Sequence, residues 1–155
     1  MIDTNEFRDK MIDAAKDNFN KDGEARPMAI FLKSNNQLIM MPLSMGDQSD
    51  KDEIASVIKL VCKKDSIVAM VLIWEAWMVK REKENFNKRE IPSTAEDRQE
   101  ILMITYETKL ISQIHTWDIL RDKSKPYLVH NEAITSGTHS KGRFANLLTE
   151  PVNQN

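Results

Sequence analysis

The chain has 155 residues, 41% apolar and 30% charged, with 22 Lys and Arg against 24 Asp and Glu for a net charge of -2. That length suits one domain whose core needs no staples. The charge balance supplies no basic field for non-specific nucleic-acid binding, and 4 Gly and 5 Pro exclude a collagen-like or low-complexity chain. Cys62 is the single cysteine, so no internal disulfide can form, which favours a reducing compartment. The N-terminus, MIDTNEFRDK, lacks the basic and apolar regions of a signal peptide. The longest apolar run, Ile67 to Trp74, falls far short of the roughly 20 residues that span a bilayer. The expected location is the cytoplasm.

In chain order, Phe7, Met11, Ile12, Ala15 and Phe19 recur at helical spacing and predict a helix over 4–20, capped by Asp3 or Thr4 and stopped by Gly23 and Pro27. Met28–Leu32 and Leu38–Leu43 flank Ser34-Asn35-Asn36-Gln37 and read as a β-hairpin, with Pro42 ending the second strand or placing it at an edge. Ser49, followed by Asp52 and Glu53, marks a second helix start. Ile54, Val57, Ile58, Val61 and Cys62 form its apolar stripe. Ile67–Val79 is apolar in both alternating sets apart from Glu75, which predicts a central strand covered on both faces, with Trp74 and Trp77 buried on opposite sides.

Residues 80–100 hold six basic and six acidic residues and read as a solvated connection, broken by Pro92. Within it, 83–99 is expected to be a mobile recognition loop. It exposes Lys88, Arg89, Glu96, Asp97 and Arg98, with Phe86 and Ile91 as anchors. Strands at Ile101–Glu107 and Leu110–Arg121 follow, with a short edge strand at Tyr127–His130 and a last helical turn over 143–148. The expectation is one α+β domain over 1–148 with a flexible tail over 149–155. Its central antiparallel sheet has about five strands, with an N-terminal helix and a crossover helix (α-β-β-α-β-β-β-α). This element order resembles the roadblock/longin or profilin-like layout, a likeness of fold that carries no function.

Five side chains stand out as candidate functional residues: Glu75, Trp77, Asp97, Arg98 and His115. Glu75 is a carboxylate in an apolar strand beside Trp74 and Trp77, where burial would raise its pKa; pairing inside the fold is the competing explanation. Asp97 and Arg98 lie in the charged connection, where an Arg can clamp an anion or anchor its own loop. His115 and Trp117 share a strand face while Asp118 points away, so no local His–Asp dyad forms. His115, His130 and His139 have no zinc-like spacing. No nucleophile elbow, P-loop or dinucleotide fingerprint occurs. No cofactor and no metal are expected, and Cys62 on the apolar helix face reads as an inert thiol.

Short words in the second half resemble a family of small bacterial and phage proteins of unknown function. These are Glu75-Ala76-Trp77-Met78, Pro92-Ser93 with Glu96-Asp97-Arg98, Glu100-Ile101-Leu102-Met103-Ile104 and Gly142-Arg143-Phe144-Ala145-Asn146-Leu147-Leu148. The likeness covers about residues 65–148. A His-Pro pair is expected before Asp-Arg in such relatives, where this chain has Ala95-Glu96. The resemblance implies a phage or bacterial accessory factor that binds a host protein, and it brings no activity.

The residues themselves point to a non-enzymatic interaction protein. Its partner is a protein, with neither membrane nor nucleic acid implied, and a symmetric homodimer is expected through a sheet edge or the first helix. Met40, Met41 and Met45 supply an adaptable rim. The alternative is a small-molecule sensor or hydrolase with Glu75, Arg98 and His115 around one pocket.

Overall fold

The computed structural model describes residues 2–44, 46–64, 66–82, 84, 90–136 and 147–149. In chain order they form α1 (Thr4–Asp22), β1 (Met28–Lys33), β2 (Leu38–Pro42), α2 (Gln48–Lys64), β3 (Ile67–Met78), β4 (Gln99–Thr108), β5 (Ser112–Leu120) and β6 (Tyr127–Ser136), with a 3-10 turn at Pro92–Thr94. The strands make one antiparallel sheet in the order β2-β1-β3-β4-β5-β6. The class is α+β as expected, with six strands rather than about five. Among the described residues no helix is long and apolar enough to cross a membrane.

Local chemistry sets the element ends. The Asp3 carboxylate accepts the Asn5 and Glu6 amides at 2.9 and 3.0 Å and caps α1. Gly23 closes the helix at φ 74°, its amide donating to the Phe19 carbonyl at 2.7 Å. Asn36, at φ 67°, makes the tight turn between β1 and β2. At α2 the cap is Asp47, not the expected Ser49. Its carboxylate takes the Asp50 amide at 2.9 Å, and Ser49 lies inside the first turn. A carboxylate suits the positive end of the helix dipole better than a hydroxyl does.

Two apolar layers sandwich β3. Phe7, Ala15 and Phe19 of α1 pack on Ile30, Leu32, Ala69, Val71, Ile73, Leu102, Ile104, Tyr106, Trp117 and Ile119. On the other face Ala55 and Ile58 of α2 pack with Ala29, Phe31, Ile67, Met70, Leu72, Leu147 and Leu148. The expected alternation of β3 breaks at its start: Ile67 joins the α2 layer, whereas Val68 and Ala69 both lie against the α1 layer. A register step at Leu32/Lys33, opposite Ala69 and Ile67, inserts the extra residue that switches faces.

Three expectations need correction. Trp74 is half-buried against the α2 layer, but Trp77 is 42% exposed. The connection after α1 crosses β3 at Glu75, which accepts the Ala25 amide at 2.8 Å, and Trp77 lies one step beyond that cover. The last strand is long, Tyr127–Ser136, because a bulge absorbs the polar Asn131: His130 pairs with Trp117 and Glu132 with Thr116. The final helical turn expected over 143–148 falls largely outside the described residues, and Leu147–Thr149, which are described, form a bend.

That bend is tied down by a carboxylate the sequence hides. Glu107, fully buried at the end of β4, accepts the Leu148 amide at 2.7 Å and the Thr149 amide at 3.4 Å, with the Ser112 hydroxyl at 3.4 Å. The Thr149 hydroxyl lies 2.8 and 3.0 Å from the carbonyls of Thr108 and Ile111. Thr149 is therefore a buried part of the domain rather than the first residue of a tail, and 150–155 lie outside the described residues. Burial, and then the charge of Glu107, push the Cys62 thiol up to about 12, so it stays protonated and unreactive near neutral pH.

Candidate functional site

Beyond Glu75 the sheet end carries a built surface. The chain leaves β3 at Met78 and returns through the Pro92–Thr94 turn to β4, where Trp77 pairs with Glu100 and Met78 with Gln99. Arg81 staples the departing and returning arms. Its guanidinium reaches Asp97 at 2.6 and 2.9 Å and grips Glu90 in the same forked manner. Hydrogen bonds and charge from Arg81 hold the Asp97 carboxyl below its ordinary range, and the two carboxylates raise the Arg81 guanidinium further. Successive turns tighten the return arm: Thr94 to Ile91, Ala95 to Pro92 and Arg98 to Ala95. The Arg98 guanidinium then lies 4.5 Å over the Trp77 ring. Arg121 forks onto Glu100 at 2.6 and 2.7 Å and braces the neighbouring strand end.

Four of the five expected residues therefore gather at one end of the sheet, in two roles. Trp77 and Arg98 form the exposed face. The two carboxylates are engaged within the fold, Asp97 by Arg81 and Glu75 by the Ala25 amide. Ile91 is 60% exposed and does not dock on the sheet. Lys88, Arg89 and Phe86 lie outside the described residues, as does most of the expected mobile stretch from 83 to 89.

His115 belongs to a different group. Leu102, buried on the same face, is the β4 neighbour of Glu75 and separates it from β5. His115 stacks on Trp117 at 6.2 Å, and His130 meets that ring edge-on at 5.4 Å. The Gln113 side-chain oxygen lies 3.2 Å from the Arg8 guanidinium and 3.1 Å from His115 Nε2. Because that oxygen only accepts, His115 Nε2 carries the proton. Neither the 590 Å³ cleft nor the 410 Å³ cleft beside α1 is lined by Glu75, Arg98 or His115. Among the described residues no group of three or more His, Cys, Asp or Glu is placed to hold a metal ion.

Burial first, then the positive charges of Arg8 and His130, hold the His115 pKa below its ordinary value, with Asp9 opposing. Below pH 6.5 the unfolded chain therefore binds this proton more readily than the folded one. Stability is full above that pH and falls as the solution is acidified through the folded pKa. His115→Gln is expected to flatten the loss of melting temperature between pH 7.5 and 5.5. An unchanged slope would place the acid sensitivity elsewhere.

The residues that sequence reading missed are Arg81 and Glu107. Arg81 sits in a run of charges where any member reads as solvated, and nothing local marks it as the staple. Glu107 ends an alternating strand, where a carboxylate ordinarily faces water.

Comparison with known families places the chain among bacteriophage proteins. It belongs to the family described as Bacteriophage lambda protein ea47, whose model matches residues 3–150. The likeness noted over 65–148 thus extends back through α1, the hairpin and α2. No curated protein and no solved structure matches the chain.

Proposed function

We propose that the protein is a non-enzymatic phage accessory factor that binds a host protein in the bacterial cytoplasm through the sheet-end surface of Trp77 and Arg98. One observation carries the reading: a tryptophan 42% exposed, with an arginine stacked 4.5 Å above it, beside a loop clasped by Arg81. Trp and Arg dominate the energetics of protein interfaces, and two side chains already stacked on each other have less rotamer freedom to lose on binding. The sensor or hydrolase alternative has less support, since the Glu75 carboxylate is occupied by the Ala25 amide and Leu102 stands between it and the strand of His115.

The test compares wild type, Trp77→Ala and Trp77→Phe as baits in bacterial lysate, read by quantitative mass spectrometry. A specific host protein should be retained by wild type, reduced at least roughly tenfold by Trp77→Ala and partly restored by Trp77→Phe. Melting temperatures should stay nearly equal, because the side chain is already half in water. Capture that ignores the substitution, or no capture above control, would sink the reading.

A further inference from the structure

We infer that β2 is a self-pairing edge, through which two copies of this chain join antiparallel about a two-fold axis at Met40 into one sheet of twice six strands. The inference is independent of the Trp77 surface and rests on the backbone phase of the hairpin. The Lys33 amide donates to the Gln37 carbonyl at 2.9 Å, and the Leu43 amide to the Pro27 carbonyl at 3.0 Å. With the pairs Phe31–Ile39 and Ala29–Met41 between them, the odd-numbered residues of β2 spend their backbone groups on β1. Leu38, Met40 and Pro42 therefore turn theirs outward.

Those outward groups complement a second copy of themselves. With Met40 opposite Met40 of the second copy, the two residues exchange two hydrogen bonds. Each Leu38 amide then meets the second copy's Pro42 carbonyl, adding two more. Pro42 has no amide to offer, so the ladder stops there and the register is fixed. An isologous contact needs this self-complementarity.

Charge and shape agree. From Gln37 to Leu43 the chain carries no charge, so two copies meet without repulsion, and β2 lacks the lysines that blunt exposed edges. The opposite edge, β6, is guarded: it is bulged at Asn131, whose side chain is held by Asp118 at 2.7 Å and Lys80 at 3.1 Å. On the α1 face, Leu38 is 49% and Met40 60% exposed beside the 410 Å³ cleft lined by Met11, Ala14 and Ile73. Pairing would cover both side chains and join the clefts of the two copies into one apolar trough. A five-residue strand pair alone buries less than the roughly 1,200 Å² of a standard interface, which makes the dimer dependent on concentration.

Light scattering across a concentration series should show the mass rising from 17.9 kDa towards twice that value. Met40→Lys sets two like charges against each other at the axis and should stay at the monomer mass throughout, with an unchanged circular dichroism spectrum. In wild type, amide exchange at Leu38 and Met40 should slow roughly tenfold or more as the mass rises. Trp77→Ala should leave both readings alone, which separates this interface from the host-binding surface. A monomer at every concentration overturns the inference. So does a dimer whose Leu38 and Met40 amides exchange fast, even if Met40→Lys fails to fold.

Discussion

Replacing Glu107 by alanine should lower the unfolding free energy by about 3–5 kcal/mol, a large share of the roughly 5–15 kcal/mol typical of a domain. The carboxylate is fully buried and accepts two backbone amides and a hydroxyl. Alanine removes all of those acceptors at once. A buried amide left without a partner costs about 1–3 kcal/mol, and the missing side chain leaves a void as well. Glu107→Gln keeps the volume but turns one acceptor oxygen into a donor, so it should lose about 1–3 kcal/mol. The same change to alanine at Glu75 removes one acceptor from a part-exposed amide and should cost less than either. Urea midpoints at neutral pH rank the three variants. A Glu107→Ala protein as stable as wild type would mean that the carboxylate does not hold the terminal bend.

Ending the chain after Asn146 should destabilise by about 3–6 kcal/mol, because Leu147 and Leu148 are both buried in the α2 layer and each is worth about 1.5–3 kcal/mol. In a domain of this size that is a fall of roughly 10 °C in melting temperature. The two changes should not add. In the shortened chain the amides that Glu107 serves are gone and its carboxylate can reach water, so Glu107→Ala should cost less there than in the full chain. Thermal scans of the four proteins give the coupling, and strict additivity would show that the bend and the carboxylate act independently.

What was legible in the sequence follows from period. The 3.6-residue stripe of Phe7, Met11, Ala15 and Phe19 specifies α1, and that of Ile54, Ile58 and Val61 specifies α2; Asn36 marks the hairpin turn. Two apolar sets in Ile67–Val79 announce a strand covered on both faces. What escaped depends on partners distant in the chain. The step that sends Ile67 and Val68 to opposite layers exists only in the pairing with β1. The length of β6 depends on a bulge opposite Thr116 and Trp117. At the candidate site, Trp77 and Arg98 were legible as unusual residues, but not as each other's neighbours. Arg81, which clasps the two arms beside them, looked like any cation in a charged run. Glu75 drew attention through its apolar flanks, while Glu107 carries the heavier burial because the residues that cover it come from the far end of the chain.

Through Ile73, β3 lies between both helical layers, with six of its first seven residues buried. β1 shares that cover from Ala29 to Leu32, whereas β2 alternates between exposed and part-buried residues and can absorb a polar exchange at every second position. From Ile67 to Ile73 no such alternation exists: a substitution that escapes one layer's packing meets the other's. Drift in this seven-residue stretch is thereby confined to swaps among apolar side chains of similar volume. The hairpin edge and the arms around Arg81 are freer to diverge.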